Sequence, residues 1–360
     1  MRFVLFYHSL VSDWNHGNAH FLRGVASELL ERGHQVDIYE PANGWSLQNL
    51  RQNFGQTPLK AFARAYPQLS SHFYENLNLK EVLTDADVVI VHEWNDPELV
   101  AAIGMMRRFA HFALFFHDTH HRAVTARAEM AAYDLRSYDG VLAYGRILSN
   151  LYLEAGWTRR AWTWHEAADP RIFRPLSKVR KTEDLVWIGN WGDDERGVEL
   201  KEFFIEPVQK LGCKAAAYGV RYPENALKDL ANAGIEFRGW IPNFKVPLVF
   251  AAARATVHVP RRPYSRQLPG IPTIRPFEAL ACGVPLICSP WSDTEGLFTA
   301  GEDYLLARDG EEMEQHLNLV LTDRALSDGL VANGLKTIQT RHTCAHRVDQ
   351  LLEIYEGLDL

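Results

Sequence analysis

Twice along the chain a short apolar strand runs into a loop, an amphipathic helix and a second strand. Arg2 to Tyr7 is the first strand, and the loop that follows begins at Ser9. Leu22, Val25, Ala26, Leu29 and Leu30 then fall on one face of a helix that ends at Gly33. Gln35 to Glu40 is the next strand, stopped by Pro41. The pattern restarts with a strand from Asp184 to Ile188, the loop GNWGDDERG, a helix from Val198 to Leu211 and a strand from Lys214 to Tyr218. A strand joined to its neighbour through a helix pairs in parallel, with helices covering both faces of the sheet. The sequence therefore reads as α/β, with two Rossmann-like domains in tandem. A length of 360 residues is above the size at which single cores usually split, which fits two domains.

Bulk properties narrow the function. The first loop contains only Gly17 and lacks G-x-G-x-x-G, so it does not read as a dinucleotide clasp. A formal net charge of −7 without a long basic run argues against nucleic acid as a partner. Cys213, Cys282, Cys288 and Cys344 are scattered, which suits a reducing compartment and points to the cytoplasm. The opening MRFVLFYHSLV is broken early by Ser12 and Asp13 and reads as a strand rather than a signal peptide. No apolar run reaches membrane-spanning length.

Open α/β sheets place their ligands at the carboxyl ends of strands. The strand from His111 to Phe116 delivers HDTHH, so His117 is well placed for a role in a site. A structural histidine at a strand end is the alternative. A zinc site of His117, His120 and His121 has no supporting carboxylate-and-histidine helix motif. Asp85-Ala86-Asp87 spells D-x-D but precedes its strand, at the opposite edge, so no metal role is assigned to it.

The stretch GIPTIRPFEALACGVPLICSP, from Gly270 to Pro290, reads as a helix from Pro272 to Cys282 and a buried strand from Val284 to Cys288. Pro276 lies near the helix start and Gly283 ends it. Free N–H groups at such a helix start favour a phosphate. Glu278, one turn further in, can accept hydrogen bonds from the two vicinal hydroxyls of a ribose. This segment resembles the donor-binding segment of GT-B glycosyltransferases, with pattern P-x-x-x-x-x-E-A-x-A-x-G-x-P. G-N-x-H before the first helix, RGHQVDIYEP after it, and GWSLQNL resemble the CgeB-like branch of that group. Asp169, Phe173 and Pro175 match the D-x-x-x-F-x-P passage between GT-B domains.

The resemblance implies an acceptor domain over 1–174, a nucleotide-sugar donor domain over 175–340, and a C-terminal helix over 341–360 that returns to the first domain across a cleft. It implies sugar transfer from a nucleotide sugar, UDP-sugar foremost, to an acceptor hydroxyl, with no metal and no other cofactor. A non-catalytic nucleotide-sugar binder or partner subunit is the alternative, and a GT-B epimerase is a further one. Arg196, Arg261, Arg262 and Arg266 are candidate cations for the diphosphate, with solvated surface charge as the alternative. Arg275, on the face of Glu278, either joins them or orients that carboxylate. Trp240, Ile241 and Tyr218 wall the base. Many retaining relatives carry E-x7-E; here the first position is Gly270, so the sugar contact would pass to backbone between Gly270 and Thr273. Retention or inversion stays open. An inverting enzyme needs a base on the first domain, where Asp13, His16 and His20 are candidates, with Gly17 and Asn18 beside them and His117 facing the donor. Spacing alone would also put His16 and His20 on one helix face as a structural pair. The acceptor (glycan, lipid, protein or small molecule) and peripheral membrane contact stay open.

Overall fold

The computed structural model describes residues 1–358 and divides into two compact units, one formed by residues 1–166 with the chain from Cys344 onward, the other by residues 167–343. The first unit holds a seven-stranded parallel sheet: β1 (Arg2–Phe6), β2 (Gln35–Pro41), β3 (His72–Tyr74), β4 (Val88–His92), β5 (Ala113–Asp118), β6 (Gly140–Ala143) and β7 (Ala161–Thr163). Their order is β3-β2-β1-β4-β5-β6-β7. The central strands carry buried apolar runs (Phe3–Phe6, Val88–Val91 and Ala113–Phe116), as a sheet covered on both faces requires, and β4 and β5 end in buried polar residues. Helix Ala19–Glu31 packs Phe21, Leu22, Val25, Ala26 and Leu29 into the core. Helix Cys344–Glu356 joins this unit: the Trp164 indole N–H donates to the Arg347 carbonyl at 2.8 Å, and Arg32 Nη1 donates to Asp349 at 2.6 Å.

The second unit repeats the plan with six parallel strands: β8 (Glu183–Ile188), β9 (Ala215–Tyr218), β10 (Glu236–Phe237), β11 (Ala253–His258), β12 (Leu286–Cys288) and β13 (Leu305–Leu306). Their order is β10-β9-β8-β11-β12-β13. In both sheets the winding reverses at the first strand, between β1 and β4 and between β8 and β11. Such a switch point opens a crevice at the strands' carboxyl ends. Two details depart from the sequence reading. The helix expected over 198–211 contains a π turn at Lys201–Ile205, because Pro207 has no N–H to return to the preceding turn. The segment from Asp169 to Pro175 lies inside the second unit, where Asp169 accepts from Arg171 Nε at 2.7 Å and from the Phe173 N–H at 2.8 Å.

Candidate functional site

The second unit gathers arginines around His258 at its switch point. The loops after its strands are joined by backbone bonds: Gly189 N–H to Tyr218 O at 2.9 Å and Gly219 N–H to Gly239 O at 2.9 Å. Gly219 is required there, because a Cβ would stand 2.1 Å from the Gly189 carbonyl oxygen. Arg196 lies over the Trp187 ring at 5.1 Å and donates to the Val259 and Asn190 carbonyls at 3.0 and 2.5 Å. Its Nε has no protein partner. Desolvation, then the charges of Arg261 and Arg275, pull Arg196 down to about 9, still cationic at neutral pH. His258, at the end of β11, is buried and pulled down to about 3 by burial and then by Arg196 and Arg275, so it is neutral. Its Nε2 is 3.5 Å from Thr273 Oγ1. Thr273 has φ +60° and ψ −178°, a region nearly confined to glycine, and it immediately precedes helix Ile274–Ala281. Strain of that kind is held where surrounding structure over-determines it, and here it directs the free N–H end of the helix.

Glu278 in that helix is wholly buried; it accepts from Asn243 Nδ2 at 2.7 Å and from Arg275. The other arginines are engaged with acids. Arg261 pairs with Glu195 at 2.8 Å, Arg262 with Glu199 at 3.0 Å and with the Asp194 carbonyl, and Arg266 with Glu199 at 3.7 Å. Tyr218 accepts from Arg238 Nη1 at 3.0 Å. Trp240 and Ile241 are half-buried in the turn after β10.

The first unit gathers histidines at the carboxyl ends of β1, β4 and β5. The ring centroids of His8 and His16 are 4.1 Å apart, those of His8 and His92 5.2 Å, and those of His92 and His117 5.4 Å. All four are buried. His92 is occupied: Nδ1 meets Glu93 at 2.7 Å and Nε2 meets Thr119 Oγ1 at 3.1 Å. His8 has no protein partner on either nitrogen, nor has His117, and His16 has none on Nε2. Burial drives all four below the ordinary imidazole range, His92 to about 3. Burial also pushes Glu93 up to about 8 and Asp118 up to about 7. Among the described residues no group of histidine, cysteine and carboxylate side chains has the arrangement to hold a metal ion.

The loop carrying His8 to Asn18 is fixed by a buried clamp. Arg23 donates to Asp13 at 2.8 Å and to the Leu10 and Val11 carbonyls at 2.8 and 3.0 Å. Ser12 Oγ reaches the Ser46 carbonyl at 3.0 Å, and Ser46 Oγ donates to the Trp14 carbonyl at 2.8 Å. These bonds tie the loop to helix Trp45–Phe54.

Comparison with known proteins follows this geometry. Residues 196–353 match the family model described as glycosyl transferase-like. Among solved structures, Anabaena HepE in complex with UDP and glucose superposes with a TM-score of 0.69 at 13% identity, over 99% of this chain and 100% of the other. The chain has the GT-B glycosyltransferase fold. The β-glucosyltransferase of phage T4 gives a TM-score of 0.63 at 14% identity, with 100% of both chains covered. Sucrose-phosphate synthase from Thermosynechococcus elongatus gives 0.66 at 16%, over 99% and 98%. No curated protein sequence matches the chain. No described helix is long and apolar enough to cross a membrane.

Within this GT-B frame the residues read from sequence fall into two groups. Arg196, Arg275, Thr273 and Glu278 gather around His258 and the start of helix Ile274–Ala281 in the second unit, where Gly270 (φ +91°) also bonds through its N–H to the Ser292 carbonyl at 2.6 Å. In the first unit, Asp13 is the partner of Arg23 and so serves the clamp. His20 is wholly buried in its helix, which starts at Ala19 and leaves His16 in the loop, so the two do not share a helix face. Gly17 is exposed, and the Asn18 amide is buried without a protein partner. Sequence reasoning missed His8, His92, Glu93 and His258. The signal was available for three of them, since His8, His92 and His258 stand at or just past the ends of β1, β4 and β11.

Proposed function

We propose that the protein is a glycosyltransferase that moves a sugar from UDP-sugar to an acceptor hydroxyl, with the donor held by the second unit and the acceptor by the first. The gathering of Arg196 and Arg275 around His258 carries this reading, because it lies at the switch point of the second sheet and within the residues that match the glycosyl transferase-like family. The Thr273 turn gives the helix N-terminus a diphosphate to face. Glu278, held in place by Asn243 and Arg275, accepts from the ribose hydroxyls. In the transfer, the acceptor oxygen bonds to the anomeric carbon while the bond to the diphosphate breaks. UDP leaves with the electron pair, stabilised by the two guanidinium groups and the helix amides rather than by a divalent ion. The hydroxyl proton passes to a neutral imidazole of the first unit, His16 or His117, as general base. HepE has been crystallised with UDP-glucose, which favours uracil and glucose for the first assays.

Calorimetry with UDP, GDP, dTDP and CDP tests the donor site, followed by an assay of UDP release from UDP-glucose. Preferred UDP binding and slow release into water support the proposal. Absence of binding by every nucleoside diphosphate overturns it. Tight binding with no turnover in the presence of acceptors favours a non-catalytic nucleotide-sugar binder.

A further inference from the structure

We infer that the acceptor is a carbohydrate whose ring lies on the exposed Trp45, with Trp14 and Trp94 flanking it at steep angles, and with a hydroxyl reaching His8 and His16. The inference rests on the glycosyltransferase reading and supplies its acceptor class. Three indoles converge over the histidine basin. Trp14 and Trp45 have ring centroids 6.1 Å apart, and Trp45 and Trp94 6.4 Å apart. Beneath them, His8 stacks on Trp45 at 5.9 Å and lies 6.1 Å from Trp94. Trp45 is 37% exposed and Trp14 and Trp94 are half-buried, so the aromatic mouth is open directly above the buried His8 and His16.

The polar atoms of this loop lack protein partners to an unusual degree. Both nitrogens of His8, Nε2 of His16, the indole N–H of Trp14 and both ends of the Asn18 amide are buried with none. Each such group costs about 1–3 kcal/mol if it stays unsatisfied, so a loop that retains all of them is built for an occupant that satisfies them. The Arg23 clamp and the Ser12–Ser46 bonds hold the loop rigid, which suits a preformed binding surface.

The chemistry of the occupant follows from the donors and acceptors. A neutral imidazole and an amide each offer one group of either kind, and a sugar hydroxyl both donates and accepts. Indole faces take the apolar C–H face of a pyranose, as they take other apolar surfaces that carry a polar rim. A phosphorylated or carboxylated acceptor would want cations here, but burial keeps these histidines neutral. The nearby Arg122 is engaged with the Trp94 face at 4.1 Å and with the Glu93 carbonyl. A lipid alcohol would leave the six polar atoms unsatisfied.

The test uses the full-length protein and a panel of methyl glucosides, methyl galactosides, maltose, cellobiose and lactose. Binding is read by intrinsic tryptophan fluorescence and by saturation-transfer NMR, with UDP titrated in parallel. At least one sugar should bind, and Trp45→Ala should weaken it about tenfold or more while Trp45→Phe retains part of the affinity. UDP affinity should stay within about twofold in both variants, and thermal melts and near-UV circular dichroism matching wild type report that the first unit is folded. Loss of sugar binding only in a variant whose first unit has melted does not count as support, and a folded Trp45→Ala with unchanged sugar affinity overturns the inference. UDP binding with no response to any sugar overturns the carbohydrate inference and leaves the donor reading standing. Loss of UDP binding in the wild-type protein instead defeats the glycosyltransferase reading itself.

Discussion

Glu295 occupies the space that a side chain on Gly270 would need. A Cβ at Gly270 would stand 2.9 Å from Glu295 Cγ and 2.7 Å from Thr294 Oγ1, and the backbone there has φ +91°. The glycine at the first position of E-x7-E is thus favoured by local geometry: a side chain at 270 would have to take a positive φ and displace Thr294 and Glu295.

Restoring the motif should therefore damage the protein. Gly270→Glu and Gly270→Ala are each expected to lower unfolding free energy by about 1–3 kcal/mol, from positive φ and crowding against Thr294. Urea denaturation of both variants checks this. A glutamate variant as stable as wild type, with faster transfer, would mean that the loop rearranges freely and that the glycine is incidental.

Glu278 should affect stability as well as the nucleotide. Its carboxylate is wholly buried and accepts from Asn243 and Arg275. Glu278→Gln leaves Arg275 without its counter-charge, so we expect about 1–3 kcal/mol lost from folding and UDP binding weakened by about tenfold or more. Thermal melts and calorimetry measure the two effects on one sample. Unchanged UDP affinity in a folded variant would remove Glu278 from the ribose site.

How much of this was legible in the sequence depends on what carried each signal. The strands β1, β4, β5 and β8 announce themselves because sheets buried on both faces need apolar runs, and VVIV and ALFF are such runs. Glu278 could be found because its helix has a recognisable start, stop and small-residue pattern. The histidine basin could not, since His8, His16, His92 and His117 are up to about a hundred residues apart and meet only through the register of β1, β4 and β5. Asp13 looked available as a base because nothing in the loop's spelling reveals that Arg23, ten residues on, folds back onto it. The arginine pairings with Glu195 and Glu199 were hidden in the same way.

His16 and His20 should separate cleanly. His16→Gln is expected to lower kcat by roughly 10²–10⁴ with UDP Kd changed less than about threefold, as for loss of a base that does not touch the nucleotide. His20→Ala removes a wholly buried ring from helix Ala19–Glu31, so its main effect should be a lower Tm. Kinetics beside thermal melts of both variants decide the matter. Near-normal turnover in His16→Gln moves the base to His117.

The buried titratable groups predict the shape of the stability profile with pH. His8, His16, His92, His117 and His258 all have folded pKa values below their unfolded ones. Between their folded values and about pH 6.5 the unfolded chain binds more protons, so stability is lost as pH falls through this window. Glu40, Glu93 and Asp118 have raised values, Glu93 about 8 and Asp118 about 7, so there the folded state binds more protons and stability is lost as pH rises towards 8. Near pH 5.5, five histidines less two or three carboxyls leave a net uptake of about two to three protons on unfolding, or about 3–4 kcal/mol per pH unit. Stability should therefore peak near about pH 6.5 and fall on both sides. Urea melts from pH 5 to 8 measure the curve, and Glu93→Gln should flatten its alkaline limb. A profile level from pH 5 to 6.5 would mean that the basin admits charged imidazoles, and the neutral, sugar-binding character argued for His8 and His16 would go with it.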